Sequence, residues 1–360
     1  MKTAPPISLQ QRPERVLIIR PSALGDVCRS VPVLASLRRA WPDARIDWLV
    51  RAGFEGAVAH HPSLSRVISF PRKQIAIGRL WRPSAAGRLG SFLRELRGPG
   101  YDLVLDCQGL ARSGLFALVT GARDRVGFAN AAELGRLGLN RRVHGPKSMH
   151  TVDRMLTLVE ALGIEVVRDM RLYSSEADAS WAMGRLGSEP VTVLAPTSRW
   201  AGKRWPIDRF VALAERLLAD ELASRIAVVG AKSERGQCAA LTERFAGDDR
   251  VIDLVGATDV GKLLAVIERA SLVVANDSAA LHMAVGFDRP TVGLFGLTDI
   301  SLVGPYRREA DVIQAIAPEN GNRHKDEASA SRAMAAITLD AVYDACAARL
   351  ATGQVDRAAV

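Results

Sequence analysis

The stretch "RVLIIRPSALGDVCRSVP", from Arg15 to Pro32, decides the fold of the first half of this 360-residue chain. A short apolar run precedes a tight turn and a segment with helical spacing, which predicts a buried strand leading into a helix. The dinucleotide-binding folds of dehydrogenases carry the pattern G-x-G-x-x-G at such a turn. This turn contains only Gly25 and ends in the carboxylate of Asp26. Asp26 is therefore either an ordinary helix cap or a catalytic base, and NAD is not expected in this half.

Short apolar runs alternate with amphipathic segments along the rest of the chain. Strands are predicted at ten places: residues 15–20, 45–50, 66–70, 102–108, 124–128, 191–197, 225–231, 250–256, 271–277 and 291–296. Helical segments separate most of them, which indicates parallel sheets built from βαβ units. The pattern breaks at residues 163–190, which are predicted to join two domains. The fold class is therefore α/β, with two successive doubly wound domains whose ligands bind at the carboxyl ends of the strands.

The charge of the chain is unevenly distributed. The net charge is +9, but residues 1–172 hold 27 Lys+Arg against 14 Asp+Glu, a net of +13, which leaves 21 against 25, a net of −4, for the remainder. The basic half is expected to face an anionic partner. Much of the excess lies in one segment, at Arg72, Lys73, Arg79, Arg82, Arg88, Arg94 and Arg97. That segment is either a solvated helix face or a patch for a phosphorylated lipid or an acidic sugar.

Composition excludes several classes of protein. The first fifteen residues have no apolar core of a signal peptide, and no run of about 18 apolar residues is present, so neither an anchor nor a membrane span is expected. The four cysteines lie far apart without a CxxC pair, which predicts buried thiols in a reducing cytoplasm and no metal cluster. A nucleic-acid-binding protein, suggested by a pI near 9.8, stays an alternative, although aromatic residues are only 5% and the second half is acidic.

Three further strand-to-helix turns concentrate polar residues. The turn "DCQGLARSG" brings Asp106, Gln108 and Arg112 together, either as a site or as a plain polar turn. The turn "APTSRWAGKRWP" places Thr197 and Ser198 at a strand end with Lys203 on the same loop. Hydroxyls, free amides and a lysine beside a helix start are suited to a diphosphate, although a proline-initiated helix with a polar lead-in has the same composition.

The last of these turns, "VVANDSAALHMAVG", runs from a buried strand into a helix at Asp277 and Ser278. His282 follows Ser278 by four residues and so lies on the same helix face. Amides at the helix start can hold phosphate and Asp277 can accept hydrogen bonds from sugar hydroxyls. A Ser/Asp cap followed by a core histidine is the alternative.

Six segments in this order resemble the bacterial ADP-heptose:lipopolysaccharide heptosyltransferases, glycosyltransferase family 9. They are "RPSALGD", "DCQGLARS", "GKRWP", "GAKSE", "NDSAALH" and "GLTDISLVGPY". The resemblance runs from about Arg15 to Leu350 and favours the type I branch, while "NDS" at Asn276–Ser278 is similar to the type II form. Within this enzyme family, the alternative is therefore type II activity, or the activity of another member that uses a different sugar or acceptor. A GT-B epimerase or a non-catalytic binding module is the alternative outside the transferases.

The resemblance implies a GT-B fold, with two Rossmann-like domains facing across a cleft. Residues 1–172 would bind the acceptor, residues 173–337 would bind the ADP-sugar, and a C-terminal helix and tail at residues 338–360 would pack back on the first domain. The implied reaction is an inverting transfer of L-glycero-D-manno-heptose from ADP-heptose to the Kdo-lipid A region of lipopolysaccharide. The implied enzyme is a cytoplasmic monomer on the anionic surface of the inner membrane, with no essential metal or other cofactor and no nucleic-acid partner.

The resemblance also assigns roles to residues. Asp26 would be the general base and Lys203 would neutralise the diphosphate. The donor contacts would be Thr197, Ser198, Lys203, Glu234, Thr258, Asp277, Ser278, Ala279 and His282. The acceptor contacts would be Ser22, Arg72, Lys73, Arg79, Arg82, Gln108, Arg112 and Arg142.

Overall fold

The chain folds into two compact units, Met1–Met170 and Arg171–Val360. The computed structural model describes residues 7–9, 11–75, 83–318 and 326–358, with side chains described up to residue 351. The division falls two residues before the predicted one, because the Leu172 amide already donates to the Gly286 carbonyl oxygen of the second unit at 3.0 Å. Among the described residues, no helix is long and apolar enough to cross a membrane.

The first unit contains a six-stranded parallel sheet with the order β3-β2-β1-β4-β5-β6. Its strands are β1 Arg15–Ile19, β2 Arg45–Arg51, β3 Arg66–Phe70, β4 Leu103–Asp106, β5 Asp124–Phe128 and β6 Arg141–Val143. Its helices are α1 Leu24–Cys28, α2 Val31–Ala40, α3 Pro83–Arg97, α4 Ala111–Thr120 and α5 Thr151–Glu160. The apolar run of β1 is fully buried at the centre of this sheet, as a strand covered on both faces requires.

The second unit repeats this architecture with the order β12-β11-β10-β7-β8-β9, again with every pair parallel. Its strands are β7 Val191–Ala195, β8 Arg225–Val228, β9 Val251–Asp253, β10 Ala270–Asn276, β11 Thr291–Leu294 and β12 Val312–Ile313. Its helices are α6 Glu176–Leu186, α7 Ile207–Ala219, α8 Arg235–Arg244, α9 Val260–Arg269, α10 Ala279–Gly286, α11 Ile300–Val303, α12 Glu327–Ala335 and α13 Leu339–Ala358.

Both sheets have the doubly wound strand order, so the predicted α/β class with two Rossmann-like units is confirmed. All ten predicted strands are present, and the two that the sequence did not reveal, β6 and β12, are short strands at sheet edges. The four cysteines are free and buried, as predicted.

One expectation about the chain's organisation differs from the structure. Residues 163–190 are not only a connection, because they include α6, which packs against α9 within the second unit. Within that unit, α13 places Val342 and Cys346 in the core, where both are fully buried. The packing of residues 338–360 on the first domain stays a prediction of the family resemblance.

Candidate functional site

The strand order of each unit places the polar turns at the switch point of its sheet. In the first unit the turns after β1 and β4 are neighbours, because these two strands are adjacent and the chain proceeds outward from them in opposite directions. In the second unit the turns after β7 and β10 have the same relationship. Open α/β sheets bind ligands in the crevice outside the carboxyl ends of two such strands.

Asp26 lies in the first switch point, at the third position of α1. Its Oδ2 atom accepts from the Ala23 amide at 3.2 Å and from Arg20 Nη2 at 3.0 Å, and its Oδ1 atom accepts from Arg29 Nη2. The two arginines are almost completely buried, while 23% of the Asp26 side chain is exposed. The sequence therefore correctly identified a carboxylate at the mouth of the sheet, but it did not identify the arginines that hold it.

The two arginines determine the ionisation of Asp26. Burial by itself raises the pKa of this carboxyl, but the positive charges of Arg20 and Arg29 and the Ala23 amide outweigh that effect and hold its pKa well below the usual range. Asp26 is thus a carboxylate at any physiological pH. The spacing of Arg29, three residues after Asp26 on a helix, was the sequence signal for this pair.

Asp106 organises the second turn of the first unit. It is fully buried, and its Oδ1 atom accepts from the amides of Gln108 and Gly109, each at 3.0 Å. Its Oδ2 atom accepts from the Ser113 hydroxyl at 2.9 Å. Burial raises the pKa of Asp106 to about 6, although these donors favour the charged form.

The two turns of the first unit contact each other through two hydrogen bonds. The Ser22 amide donates to Gln108 Oε1 at 3.3 Å, and Arg20 Nη1 donates to the Cys107 carbonyl oxygen. Arg20 therefore links the Asp26 turn to the Gln108 turn. The structure thus brings Ser22, Asp26 and Gln108 together at the ends of two adjacent strands.

The predicted basic residues of the first unit do not form one cluster. Arg72 and Lys73 are exposed directly after β3, and the Arg112 guanidinium lies 5.5 Å from the ring centroid of Phe70, the last residue of β3. Arg142 is exposed on β6, at the opposite edge of the sheet. Five strand spacings of about 4.8 Å separate these edges, so Arg142 is distant from Arg72. The other two predicted residues, Arg79 and Arg82, lie outside the described part of the chain.

Lys203 and Asp277 form the centre of the second switch point. Lys203 ends a short 3-10 helix after β7, Asp277 follows β10, and Lys203 Nζ lies 2.5 Å from Asp277 Oδ2. Their side chains are only 14% and 9% exposed. Ser198 is also buried here, and its hydroxyl donates to the Asp277 carbonyl oxygen at 3.4 Å.

Asn276 and Trp205, which the sequence analysis did not propose, fix this pair. The Trp205 amide donates to Asn276 Oδ1 at 3.0 Å, and Asn276 Nδ2 donates to the Pro196 carbonyl oxygen at 2.6 Å. Asn276 is fully buried, so breaking either bond would leave a desolvated polar group without its partner. These bonds hold the loop that carries Lys203 against the strand that precedes Asp277.

The remaining predicted donor residues surround the same edge of the second sheet. Ser278 is the N-cap residue of α10, and Ala279 and His282 lie within that helix, with His282 only 4% exposed. Thr197 is buried at the end of β7. Glu234 and Thr258 are half-buried in the loops after β8 and β9.

A glycine holds the loops after β8 and β9 together. The Gly256 amide donates to the Gly230 carbonyl oxygen at 2.8 Å. Gly256 has a φ of +75°, and a Cβ atom there would lie 3.0 Å from the Lys232 Cα atom. Any other residue would be strained and would separate the loops. Glu234 closes its own loop by accepting from the Ala231 amide at 2.9 Å, so one of its oxygens is already engaged.

Comparison with known proteins agrees with this geometry. The family model for glycosyltransferase family 9 (heptosyltransferase) matches residues 89–332. The chain is 30% identical over 313 residues to lipopolysaccharide heptosyltransferase 1 of Escherichia coli strain K12, covering 84% of this chain and 93% of that protein. It is 27% identical over 329 residues to lipopolysaccharide heptosyltransferase 2 of the same strain, covering 87% and 92%.

A solved structure has the same fold. The structure described as "E. coli heptosyltransferase WaaC with ADP-2-deoxy-2-fluoro heptose" superposes with a TM-score of 0.72 at 25% identity, covering 92% of this chain and 98% of that chain. Together with the two doubly wound sheets, this likeness confirms the predicted GT-B fold class.

Proposed function

The chain belongs to glycosyltransferase family 9, the heptosyltransferase family, and from this membership we propose that it transfers L-glycero-D-manno-heptose from ADP-heptose to the Kdo and inner-core region of lipopolysaccharide. The type I activity is favoured by 30% identity to the type 1 relative against 27% to the type 2 relative. The observation that carries the proposal is the Lys203–Asp277 pair at the switch point of the second sheet.

The second unit is proposed to bind the donor. The Lys203 ammonium has three donors, and Asp277 occupies one, which leaves two for diphosphate oxygens. Asp277 orients the ammonium and accepts from heptose hydroxyls with its remaining lone pairs. The Ser278 and Ala279 amides at the start of α10 receive phosphate at a partially positive helix end.

The other donor residues would complete the nucleotide-sugar contacts. Thr197 and Ser198 line the loop after β7, and His282 follows one helical turn after Ser278. Glu234 is placed to accept from the ribose hydroxyls with the oxygen that its own loop leaves available. Thr258 borders the adenine.

Asp26 of the first unit is proposed as the general base of an inverting transfer. The acceptor hydroxyl oxygen forms a bond to the anomeric carbon while the bond from that carbon to the ADP oxygen breaks, and ADP leaves with the electron pair. The hydroxyl proton passes to Asp26. A carboxylate has about four lone-pair sites, and three donors occupy Asp26, so one site remains for the acceptor hydroxyl.

The low pKa of Asp26 constrains when the proton moves. A weak base removes a proton efficiently only from a strong acid, and an acceptor oxygen becomes strongly acidic once it has begun to bond to the anomeric carbon. We therefore expect proton transfer to follow attack. Charge on the departing diphosphate is greatest at that stage, when Lys203 stabilises it most.

The acceptor contacts are proposed for the first unit. Ser22 and Gln108 adjoin Asp26, while Arg72, Lys73 and Arg112 provide positive charge near the end of β3 for the carboxylates and phosphates of a Kdo-lipid A acceptor. Only the family resemblance supports an acceptor-binding role for Arg79, Arg82 and Arg142.

The cellular setting is also a proposal. The enzyme acts as a monomer at the cytoplasmic face of the inner membrane, bound peripherally to its anionic surface. The proposal includes no metal: the Lys203 ammonium and the amides at the start of α10 would donate hydrogen bonds to the diphosphate oxygens. A chelator is accordingly expected to leave the initial rate of transfer unchanged. A rate that the chelator abolishes and one divalent cation restores would show that the enzyme requires a metal.

A panel of donors and acceptors tests the function. Purified protein is supplied with ADP-heptose, a UDP-hexose or a GDP-hexose, and with Kdo-lipid A or the same acceptor already carrying one heptose. We expect a product only from ADP-heptose and Kdo-lipid A, with inverted anomeric configuration. A requirement for the heptose-bearing acceptor would indicate type II activity instead. Transfer from none of the donors would refute the proposal.

A further inference from the structure

Exposed leucines cluster on one surface of the first unit. Seven large apolar side chains are exposed among the described residues, and four of them lie on α4 or on the segment packed against it. These are Leu115, Leu118, Leu134 and Leu137, with exposed fractions of 54%, 50%, 61% and 65%. A single exposed leucine needs no explanation, but a cluster of four is typical of a contact surface. We call these four residues the leucine surface.

Three glycines bring the two halves of the leucine surface together. Leu115 and Leu118 are three residues apart on α4, and the 3-10 helix Gly135–Gly138 lies across that helix at Gly114. A Cβ atom on Gly114 would be 2.1 Å from the Gly135 carbonyl oxygen, and one on Gly138 would be 1.8 Å from the Gly114 carbonyl oxygen. No other residue permits this backbone contact.

The backbone before this 3-10 helix is strained. Glu133 and Leu134 have φ values of 54° and 63°, in the left-handed region that leucine seldom adopts. Burial does not repay that strain, since Leu134 is mostly exposed in the folded unit. Gly135 follows directly, so this turn both positions the 3-10 helix on α4 and keeps Leu134 at the surface.

Arginines accompany the leucines. Arg112 precedes Leu115 by three residues and is exposed on the same face of α4, and Arg136 is exposed between Leu134 and Leu137. Helix α3 packs against α4 through Phe92 and Phe116, whose ring centroids are 5.2 Å apart. Its exposed cations include Arg88 and Arg94. Glu133, beside Leu134, is also exposed, so the segments that carry the leucines, residues 111–120 and 131–138, hold two arginines against one acid.

This charge pattern distinguishes between possible occupants. A second copy of the chain docked by two-fold symmetry would bring two copies of the same net-positive surface together, and like charges repel. An anionic bilayer presents phosphates at its surface and hydrocarbon just beneath, which matches arginines interleaved with leucines.

We propose that the leucine surface inserts into the interfacial layer of an anionic lipid bilayer, with Arg112 and Arg136 against lipid phosphates. This inference rests on the proposed function, whose acceptor is a membrane lipid, and it identifies the residues that dock. The leucines contribute apolar burial and the arginines contribute attraction to anionic headgroups.

Vesicle sedimentation of the full chain tests the inference. Vesicles of phosphatidylcholine with phosphatidylglycerol are expected to bind the wild type, and vesicles of phosphatidylcholine alone much less. Leu115→Ser/Leu118→Ser is expected to lower binding about tenfold, because two half-exposed leucines lose their transfer free energy. Arg136→Gln is expected to lower it about fivefold, and only with anionic vesicles. Met183→Gln removes a similarly exposed apolar side chain from the second unit and should bind as the wild type does.

A separate variant excludes unfolding as the cause. Asparagine tolerates the left-handed region better than leucine, so Leu134→Asn is expected to raise or preserve the melting temperature while weakening vesicle binding. Wild-type binding by both leucine variants would overturn the inference. So would a vesicle-independent dimer that Leu115→Ser/Leu118→Ser dissociates.

Activity on a water-soluble acceptor fragment separates this inference from the proposed function. The leucine variants should retain transfer to that fragment. Vesicle binding through these residues by a protein that transfers no heptose would refute the proposed function alone. Normal transfer by a wild type that binds no vesicles would refute the docking surface alone.

Discussion

The two switch points occupy equivalent positions in their sheets but have opposite electrostatics. In the first unit one carboxylate, Asp26, is held by two buried guanidinium groups, and the cluster has a net positive charge. In the second unit one ammonium, Lys203, is held by one carboxylate, Asp277, and the pair is neutral. The strand order therefore decides where a site can form, while the loop residues decide its charge. A basic cluster suits an anionic acceptor, and a neutral pair with free donors suits a diphosphate.

Removing the charge of Asp26 is the strongest test of the first cluster. Asp26→Asn is expected to lower turnover by about 10²–10⁴-fold, because the amide cannot take the acceptor proton, with little change in ADP affinity. Turnover is measured by release of ADP and affinity by calorimetry. Asp43→Asn, at a carboxylate with a 95% exposed side chain in the same unit, is the matched control. Near-normal turnover in the Asp26 variant would show that Asp26 is not the general base.

Neutralising Asp106 tests the turn after β4, which lies beside the Asp26 cluster. An acid whose pKa is higher in the folded than in the unfolded state holds its proton more tightly in the folded state. Losing that proton as the pH rises therefore lowers the free energy of unfolding. With a pKa of about 6 against an ordinary 3.8, the cost is absent below about pH 4 and fully present above about pH 6, where it amounts to about 3 kcal/mol.

Asp106→Asn should therefore flatten the dependence of the free energy of unfolding on pH between 4 and 6, measured by urea denaturation at several pH values. The asparagine oxygen still accepts from the Gln108 and Gly109 amides, so the turn is expected to remain. An equal slope in variant and wild type over this range would mean that Asp106 does not titrate there.

Removing Lys203 tests the second cluster. Lys203→Ala is expected to weaken ADP-heptose binding and to lower turnover, together by about 10²-fold in kcat/KM, because the ammonium stabilises charge that grows on the diphosphate. Lys262→Ala on α9, where the ammonium lies 5.1 Å from the Trp181 ring centroid, is the control for loss of a lysine from this unit. A donor affinity and rate equal to the wild type would place the diphosphate elsewhere.

The smallest effect concerns the exposed cations near β3. Arg72→Gln/Lys73→Gln is expected to raise the acceptor KM about tenfold at low salt and to leave the donor KM unchanged. The effect should shrink near physiological salt, where exposed charges are screened over about 8 Å. Arg185→Gln/Arg332→Gln removes the same charge from exposed positions of the second unit. Equal rises in both KM values would contradict a division of acceptor and donor between the units.

Strand positions were predictable where burial is complete. The runs "VLII" and "LVVA" are apolar because both faces of their strands are covered, so the sequence alone locates β1 and β10. Strands β6 and β12 were not predicted because they have only three and two residues, and the sequence "RRV" contains no apolar run. Helix α13 was expected from the family resemblance, but its contacts with the core of the second unit were not predicted, because they join residues far apart in the sequence.

The sequence by itself determined the α/β class, the charge difference between the halves, and the presence of Asp26, Gln108, Lys203 and Asp277 at strand ends. Apolar periodicity and turn residues depend only on neighbouring positions in the chain, so they can be recognised without a structure. Only the tertiary structure decided that Arg20 and Arg29 bind Asp26, that Asn276 at the end of β10 holds the loop after β7, 80 residues earlier, and that Lys203 contacts Asp277. These contacts join residues whose proximity comes from the order of strands in a sheet, and that order is set by packing of the whole unit.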